Sequence, residues 1–319
     1  MAMSLTTRTK IVLALAVAPL VLVAACGDEG PSASGSRSGG EGSPSVVASF
    51  YPLQFVAERV GGPWVSVENL TPPGVEPHDV ELTPKDIVTV ADADLVVYLE
   101  GFSPAVDDAV SQSASDEAAF DVGRYAGLDL IYTPIEEGDV ASDEAGATDP
   151  HFWLDPTRLA KVADEVAHRL ADLVPAHASE IEANAEALRG DLASLDAELD
   201  AGLATCINRD LVTSHNAFGY LARRYDLRQV GIAGLTPAEE PSPQSLAQVA
   251  DYVEAHDVAT IYYETLVSPT VAETVAAETG AATAVLDPLE GLGDDAAGSD
   301  YLAVMRANLA SLQQGQPCP

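Results

Sequence analysis

Basic residues are scarce in this sequence. Its 319 residues include 15 Lys and Arg against 50 Asp and Glu, which gives a formal net charge of −35. An acidic surface repels nucleic-acid phosphates and anionic lipid headgroups, so both are disfavoured as partners. The same charge attracts cations but also suits a salty environment. Taken alone, it does not predict a metal site.

Catalytic signatures are also missing. The sequence contains no HExxH pair, no serine nucleophile elbow and no phosphate-binding glycine loop. We therefore expect a protein that is not an enzyme and keep a metallohydrolase as the weaker alternative.

One long apolar run is present, from Ile11 to Ala25, and only Pro19 interrupts it. It is too short for a comfortable membrane span, and Arg8 and Lys10 precede it, so residues 1–25 are predicted to be a secretory signal peptide. Small residues come just before Cys26, as in a bacterial lipobox. We expect Cys26 to be acylated and to anchor the chain to the outer face of the cell membrane. An ordinary signal peptide with an incidental cysteine is the alternative.

The segment that follows is poor in apolar residues. Gly, Ser and Pro dominate residues 26–45, which predicts a flexible tether. About 270 residues remain, more than one core usually supports, so two lobes are expected. We place an N-terminal α/β lobe at 46–174, a linker helix at 175–205 and a C-terminal α/β lobe at 206–319.

Cysteine is rare. Beyond Cys26 only Cys206 and Cys318 remain, and outside the cytoplasm such a pair tends to oxidise. We predict a disulfide between them, which would tie the C-terminal tail to the second lobe. Two free thiols are the alternative.

Strand and helix patterns alternate along the rest of the chain, which predicts an α/β fold with two mostly parallel sheets. The predicted strands are Ser45–Phe50, Val65–Leu70, Leu95–Tyr98, a segment near Leu130–Tyr132, Asp210–Thr213, Gln229–Gly231, Ile261–Tyr263 and Ala284–Leu286. The predicted helices are Pro52–Val60, Thr83–Ala91, Ser103–Ser113, Thr157–Leu173, Pro175–Leu203, Ala217–Tyr225, Ser242–His256, Pro269–Thr279 and Ser299–Gln313. The helix from Pro175 to Leu203 has apolar residues at three- and four-residue steps and is long for a globular domain.

Three of the six histidines lie in short non-helical segments, namely His78 in PHDVELTP, His151 in DPHFWLDP and His215 in TSHNAFGY. The acids Asp287 and Glu290 follow in LDPLEGL. Successive candidates are about 70 residues apart, roughly two βαβ units, so loops from different parts of one scaffold could converge. Three imidazoles and one carboxylate suit Zn²⁺. Glu76 and Glu264 are further candidates for contact with a ligand.

Taken in order, these segments resemble the cluster A-I (family 9) metal-binding solute-binding lipoproteins, the metal receptors of ABC importers. The resemblance covers essentially everything from Val46 onward. It implies two α/β lobes bridged by one long rigid helix, with the metal between the lobes. The family's three histidine ligands match His78, His151 and His215. Glu290 is favoured as the fourth ligand, with Asp287 or water as alternatives.

The resemblance also implies what the protein does. It predicts a monomeric receptor that captures a metal ion and delivers it to an ABC permease. Manganese members typically have a carboxylate as third ligand, where this chain has His215, so Zn²⁺ is predicted and Mn²⁺ or Fe²⁺ is less favoured. Some family members are surface adhesins, and a zinc-containing adhesin is a second reading. Many zinc members carry a His-rich loop before the second histidine. Here residues 136–149 are acidic, and their role stays open.

Overall fold

A computed structural model describes residues 42–135, 144–237, 241–294 and 296–318. The predicted signal peptide, Cys26, most of the tether and residues 136–143 of the acidic segment lie outside these ranges. The strands within them are β1 (Ser45–Ala48), β2 (Ser66–Asn69), β3 (Leu95–Tyr98), β4 (Ala119–Asp121), β5 (Asp210–Thr213), β6 (Arg228–Gly231), β7 (Thr260–Tyr263) and β8 (Ala282–Val285). The α-helices are α1 (Tyr51–Gly61), α2 (Pro84–Asp92), α3 (Pro104–Ser113), α4 (Gly123–Ala126), α5 (Pro156–Leu173), α6 (Ala178–Leu203), α7 (Gly219–Arg224), α8 (Pro243–Ala255), α9 (Thr270–Thr279) and α10 (Tyr301–Gly315).

The strands form two four-stranded sheets with the same pattern of neighbours. The first has the order β2-β1-β3-β4 and the second β6-β5-β7-β8, and every pairing is parallel. In each sheet the chain runs from the first strand to a neighbour on one side and then crosses to the other side, so the strand order reverses beside β1 and beside β5. Open α/β sheets bind ligands at the carboxyl ends of the strands next to such a reversal. The predicted fold class, two lobes with parallel sheets and a long helix, is confirmed.

Apolar runs in the central strands explain why both faces of each sheet are covered. Val46 and Val47 are both fully buried, yet Val46 packs into one apolar cluster and Val47 into another. Successive side chains of a strand point to opposite faces, so a run such as Ser45–Ala48 must bury both sides.

Helix α6 joins the two halves. Its 26 residues correspond to about 39 Å, and a short 3₁₀ turn, Pro175–His177, precedes it. It packs against α1 and α5 of the first lobe and α10 of the second. Its buried stripe consists of Ile181, Ala185, Leu188, Leu192, Leu195, Leu199 and Leu203. These residues belong to a single apolar cluster that extends from β1 to α10, so the lobes share one core.

One predicted strand is wrong. Near Leu130–Tyr132 the structure has only an isolated bridge between Ile131 and Thr148, and the Ile131 side chain is exposed. The fourth strand of the first sheet is instead β4, a three-residue edge strand in which only Phe120 is buried. So short a strand has too few residues to show an alternating pattern.

The C-terminal tail is fixed as predicted, because Cys206 and Cys318 are disulfide-bonded. Cys206 lies between α6 and β5, so the bond ties the tail to the end of the long helix. Among the described residues, no helix combines the length and apolar character that crossing a bilayer requires.

Candidate metal site

Four residues from distant parts of the sequence converge in the crevice between the two sheets. His78, His151, His215 and Glu290 each offer a donor atom, and these atoms all lie within 4.8 Å of one another. All four side chains are buried. The structure thus brings together the three predicted histidines and the favoured carboxylate.

His151 is held by a carboxylate two residues before it. Asp149 Oδ1 accepts hydrogen bonds from both the backbone N–H (2.9 Å) and Nδ1 (2.8 Å) of His151. A neutral imidazole that donates through Nδ1 keeps the lone pair of Nε2 free. His151 Nε2 lies 3.1 Å from Glu290 Oε1.

His215 and its partner follow two adjacent strands of the second sheet. His215 comes just after β5 and Glu264 just after β7, so both lie at carboxyl ends next to the crevice. Glu264 Oε1 accepts hydrogen bonds from His215 Nδ1 (2.7 Å) and from the Ser214 hydroxyl (2.6 Å). His215 Nε2 is 3.2 Å from Glu290 Oε1. Glu264, one of the further candidates named from the sequence, therefore supports a site histidine.

His78 lies in the loop between β2 and α2. Its backbone N–H donates to Glu76 Oε1 (3.1 Å), and its ring packs against Phe102 with centroids 4.3 Å apart. His78 Nε2 is 3.4 Å from His151 Nε2 and 3.7 Å from Glu290 Oε1. Zinc–nitrogen bonds of ordinary length in a tetrahedron place neighbouring donors about 3.3 Å apart, so these spacings fit one small ion.

The two candidate acids, Asp287 and Glu290, have different roles in the turn that they share. Asp287 Oδ1 accepts the backbone N–H of Leu289 (2.7 Å), and Asp287 Oδ2 accepts the Thr265 hydroxyl (3.4 Å). Leu289 has φ +59°, a strained conformation for a branched residue, and the turn delivers Glu290 to the cluster. Asp287 shapes this turn and does not belong to the group of donors.

Charge interactions shift the ionisation of the site. Burial opposes the charged form of His151 and His215, but hydrogen bonds and charges from Asp149, Glu264 and Glu290 prevail, so both pKa values are raised, that of His215 well above its ordinary value. Burial lowers the pKa of His78. Burial also opposes ionisation of Glu290, yet the nearby imidazoles hold its pKa well below the usual range.

These pKa shifts indicate that the site holds protons which a bound cation would replace. Glu290 Oε2 is buried and has no hydrogen-bond partner among the described residues. The Nδ1 atoms of His151 and His215 are engaged by carboxylates, so the Nε2 atom of each faces Glu290. A cation bound there would replace the Nε2 protons and give Glu290 Oε2 a partner. Nitrogen and oxygen donors in this ratio fit a zinc-sized ion.

Comparison with known proteins identifies the family. The family model for zinc-uptake complex component A, periplasmic (ZnuA), matches residues 46–315. The chain belongs to this family. The resemblance inferred from the sequence is thereby confirmed.

Individual relatives share most of the chain. The high-affinity zinc uptake system protein ZnuA of Bacillus subtilis is 36% identical over 303 residues, covering 92% of this chain and 93% of that protein. The Zn(II)-bound ZnuA-like domain of Streptococcus pneumoniae AdcA has a TM-score of 0.70 and 34% identity, covering 86% of this chain and 99% of that domain. The laminin-binding protein of Streptococcus agalactiae, described as an adhesin with metal-transporting activity, has a TM-score of 0.74 and 31% identity, covering 86% and 99%.

The other histidines of this ZnuA family member lie elsewhere. His168 is exposed on α5 near Glu165, His177 stacks on Trp64 before α6, and His256 stacks on Tyr252 at the end of α8. Among the described residues, none of them joins the group of donors.

Sequence reasoning missed two contributors. Asp149 was not singled out, although an acid two residues before a histidine can reach both its N–H and its ring. Tyr220 was not recognised either, because its contacts with residues 129, 130 and 149 join segments about 70 to 90 residues apart. No local pattern reveals such a contact.

Proposed function

We propose that this chain is an extracytoplasmic receptor that captures Zn²⁺ between its lobes and delivers it to an ABC permease. The proposed ligands are His78, His151, His215 and Glu290. The observation that carries the proposal is the buried group of four donors within 4.8 Å of one another, with the Nδ1 atoms of two imidazoles bonded to carboxylates. The zinc-uptake family and its zinc-binding relatives support it.

The donor set favours zinc over the alternatives. Mn²⁺ prefers more oxygen donors, and non-haem Fe²⁺ sites keep open positions, whereas three imidazoles with one carboxylate suit tetrahedral Zn²⁺. Asp287 already accepts hydrogen bonds from the backbone of Leu289 and the hydroxyl of Thr265, which leaves Glu290 as the acid that can bind the ion. Mn²⁺ or Fe²⁺ remains the secondary cargo in this proposal.

The number of protein donors, four, favours a binding protein over an enzyme. A catalytic zinc site keeps one position open for water, whereas four protein donors close a tetrahedral site. We therefore propose that the chain is not an enzyme. Hydrolase assays with zinc-loaded protein would reveal turnover if one ligand left the ion.

Delivery requires a location at the membrane. We propose that residues 1–25 are removed, that acylated Cys26 anchors the chain, and that residues 26–45 tether a monomeric receptor near its permease. Because α6 and a shared apolar cluster connect the lobes, large lobe movement would disrupt the core. Release would therefore depend on local movement of the ligand loops.

Zinc titration tests the ligand assignment. Competition with a chromophoric chelator should give one ion per wild-type chain. His215→Ala should lower the affinity by more than about a hundredfold, because losing an atom bound to the ion should cost more than losing a residue that only supports a ligand. His168→Ala is the matched control, since the His168 side chain is 71% exposed on α5. An affinity within about twofold of wild type for His215→Ala would reject that ligand.

Uptake separates transport from adhesion. The laminin-binding neighbour is described as both an adhesin and a metal transporter, so adhesion is a second candidate function. A strain that lacks the gene should grow poorly when zinc is scarce. Restored growth with the wild-type gene, but not with the His215→Ala gene, would support transport. Metal-independent binding to laminin, with no effect on uptake, would support adhesion instead.

A further inference from the structure

The segment that carries His151 belongs to the first lobe by sequence but is fixed by the second. Tyr220, just inside α7, donates its hydroxyl hydrogen to the carbonyl of Asp149 (3.1 Å). The Trp153 indole N–H donates to the carbonyl of Pro288 (2.7 Å), in the turn that delivers Glu290. The Tyr301 hydroxyl donates to the carbonyl of Trp153 (2.6 Å). Three side-chain hydrogen bonds thus bracket His151 from both ends.

Tyr220 is the most completely engaged of these groups. Its side chain is buried, and its oxygen also accepts the backbone N–H groups of Asp129 (3.1 Å) and Leu130 (3.3 Å). A tyrosine hydroxyl has one donor and two acceptor positions, so its full capacity is used. All three partners are backbone groups of the first lobe, near the start of the His151 segment.

The ring of Tyr220 is held between two cations. The Arg158 guanidinium carbon lies 4.5 Å from the ring centroid and that of Arg223 lies 5.3 Å away. Both guanidiniums also bind Asp129, at 3.0 Å and 2.6 Å. Arg158 comes from α5 and Arg223 from α7, so the ring is clamped by both lobes.

A second, independent contact reaches the carboxylate of Asp149. A methyl group placed on Gly219 would collide with Asp149 Oδ2. Glycine at this position therefore lets α7 approach the carboxylate that orients His151. The second lobe thus touches Asp149 at both its carbonyl and its side chain.

We propose that Tyr220, assisted by the close approach of Gly219, is a positioning residue for the metal site. It acts through Asp149 on the ring of His151. The inference rests on the proposed function and deepens it, because it makes His151, His215 and Glu290 one rigid group of donors organised by the second lobe. His78, fixed within its own loop, completes the site. Zn²⁺ would then meet three donors already in place, which lowers the cost of ordering them.

The central test removes only the hydroxyl. Tyr220→Phe keeps the ring and its two cations, and Tyr225→Phe is the matched control. Tyr225 is also buried, follows the same helix and donates its hydroxyl to Asp196 (3.0 Å), away from the site. Zinc affinity should fall about tenfold in Tyr220→Phe, the lower end of the effect of losing an outer partner, and stay within about twofold in Tyr225→Phe.

Two further measurements exclude a merely structural loss. Tyr220→Phe loses three hydrogen bonds and Tyr225→Phe one, so Tyr220→Phe should be the less stable in urea. Zinc affinities are therefore compared without urea, where circular dichroism should show both variants fully folded. The visible spectrum of Co²⁺ bound in place of Zn²⁺ reports donor geometry, and it should change only in Tyr220→Phe. An unchanged spectrum and affinity in Tyr220→Phe, or an equal loss in Tyr225→Phe, would overturn the positioning role.

A third measurement needs no metal. Amide hydrogen exchange of a peptide covering residues 144–155 in the metal-free chain should be faster in Tyr220→Phe than in wild type or Tyr225→Phe. Unchanged exchange would contradict the positioning role even if zinc bound normally to wild type. A wild-type chain that bound no zinc would overturn the proposed function together with this inference, so the two failures are distinguishable.

Gly219→Ala probes the same link from the carboxylate side. The added methyl group must displace Asp149 Oδ2, so zinc affinity should fall although the tyrosine hydroxyl is intact. Gly190→Ala on α6, where an added methyl group meets nothing within 4 Å, should leave affinity unchanged. Equal affinity in the two alanine variants would show that Asp149 tolerates displacement and would count against the proposal.

Discussion

The loop of His78 and the segment of His151 reach the same cluster but are held in different ways. The His78 backbone N–H bonds to Glu76 in its own loop, and residues 72–75 of that loop are exposed. The segment from His151 to Pro156 is buried throughout and is bonded to distant parts of the chain. His78 is thus held by contacts within its own loop, whereas His151 is held by contacts with distant parts of the fold. This difference implies that His78 is the donor whose position depends most on the ion itself.

Removing a donor from either region should have the largest effect. His151→Ala and His78→Ala should each lower zinc affinity by more than about a hundredfold, because each removes a ligand outright. Calorimetry or chelator competition would measure this. The two regions should also differ in kinetics. We expect the metal to leave the wild-type protein when the His78 loop opens, because this loop should open faster than the His151 segment. Slowing of wild-type release by a crosslink that fixes the His78 loop would support the contrast, and no effect would argue against it.

Weakening the partners of the donors should give the next largest effect. Asp149→Asn should lower zinc affinity by about ten- to a hundredfold, because it removes the carboxylate that orients His151. Glu264→Gln should act similarly through His215. Glu76→Gln should cost less than either, since Glu76 accepts a hydrogen bond from the backbone N–H of His78. A loss in Glu76→Gln as large as in Asp149→Asn would show that the two regions are equally preorganised.

Acid should weaken capture through the fixed region first. The pKa values of His151 and His215 are raised, so protons compete with the ion at a higher pH than for ordinary imidazoles, whereas the pKa of His78 is lowered. Below the raised pKa values, each proton displaced costs about tenfold in affinity per pH unit. Asp149→Asn removes a cause of the raised pKa of His151, so its affinity should begin to fall at a lower pH. Zinc titrations between neutral and mildly acidic pH would test this shift.

The disulfide should matter least for affinity. It closes a loop with a sequence separation of 112 residues, so Cys206→Ser with Cys318→Ser should lower the free energy of unfolding by about 2–5 kcal/mol. Zinc affinity should stay within about twofold, because the bond ties the end of α6 to the tail and makes no contact with the donors. Urea unfolding and zinc titration of the same samples would separate the two effects. A large loss of affinity would mean that the tail supports the site.

The sequence predicted the donors better than their surroundings. His78, His151 and His215 stand in short Pro- or Gly-containing segments of recognisable type, and LDPLEGL supplied the acid. Histidines and an acid in such loops indicate a metal site, because imidazole and carboxylate groups together are typical metal ligands. Asp149 and Tyr220 were missed because their roles depend on contacts between elements that the chain brings together only when folded.

Secondary structure was predictable where apolar periodicity is strong. The stripe of α6 and the valine-rich central strands gave clear patterns, and the observed elements agree with them within a few residues. The edge strand β4 was missed because three residues with one buried side chain give no pattern. The segment near Ile131 looked like a strand because it combines a leucine, a β-branched isoleucine and a tyrosine, yet in the fold it pairs only through one bridge.

The apolar cluster shared by both lobes limits how this chain can be divided. Because α6 packs against α1, α5 and α10, a fragment that stopped after Leu203 would lack α10 and would expose part of the apolar surface of α6. Such a fragment should aggregate rather than fold. We therefore expect the two halves to fold together, once the residues of α10 are available to cover α6.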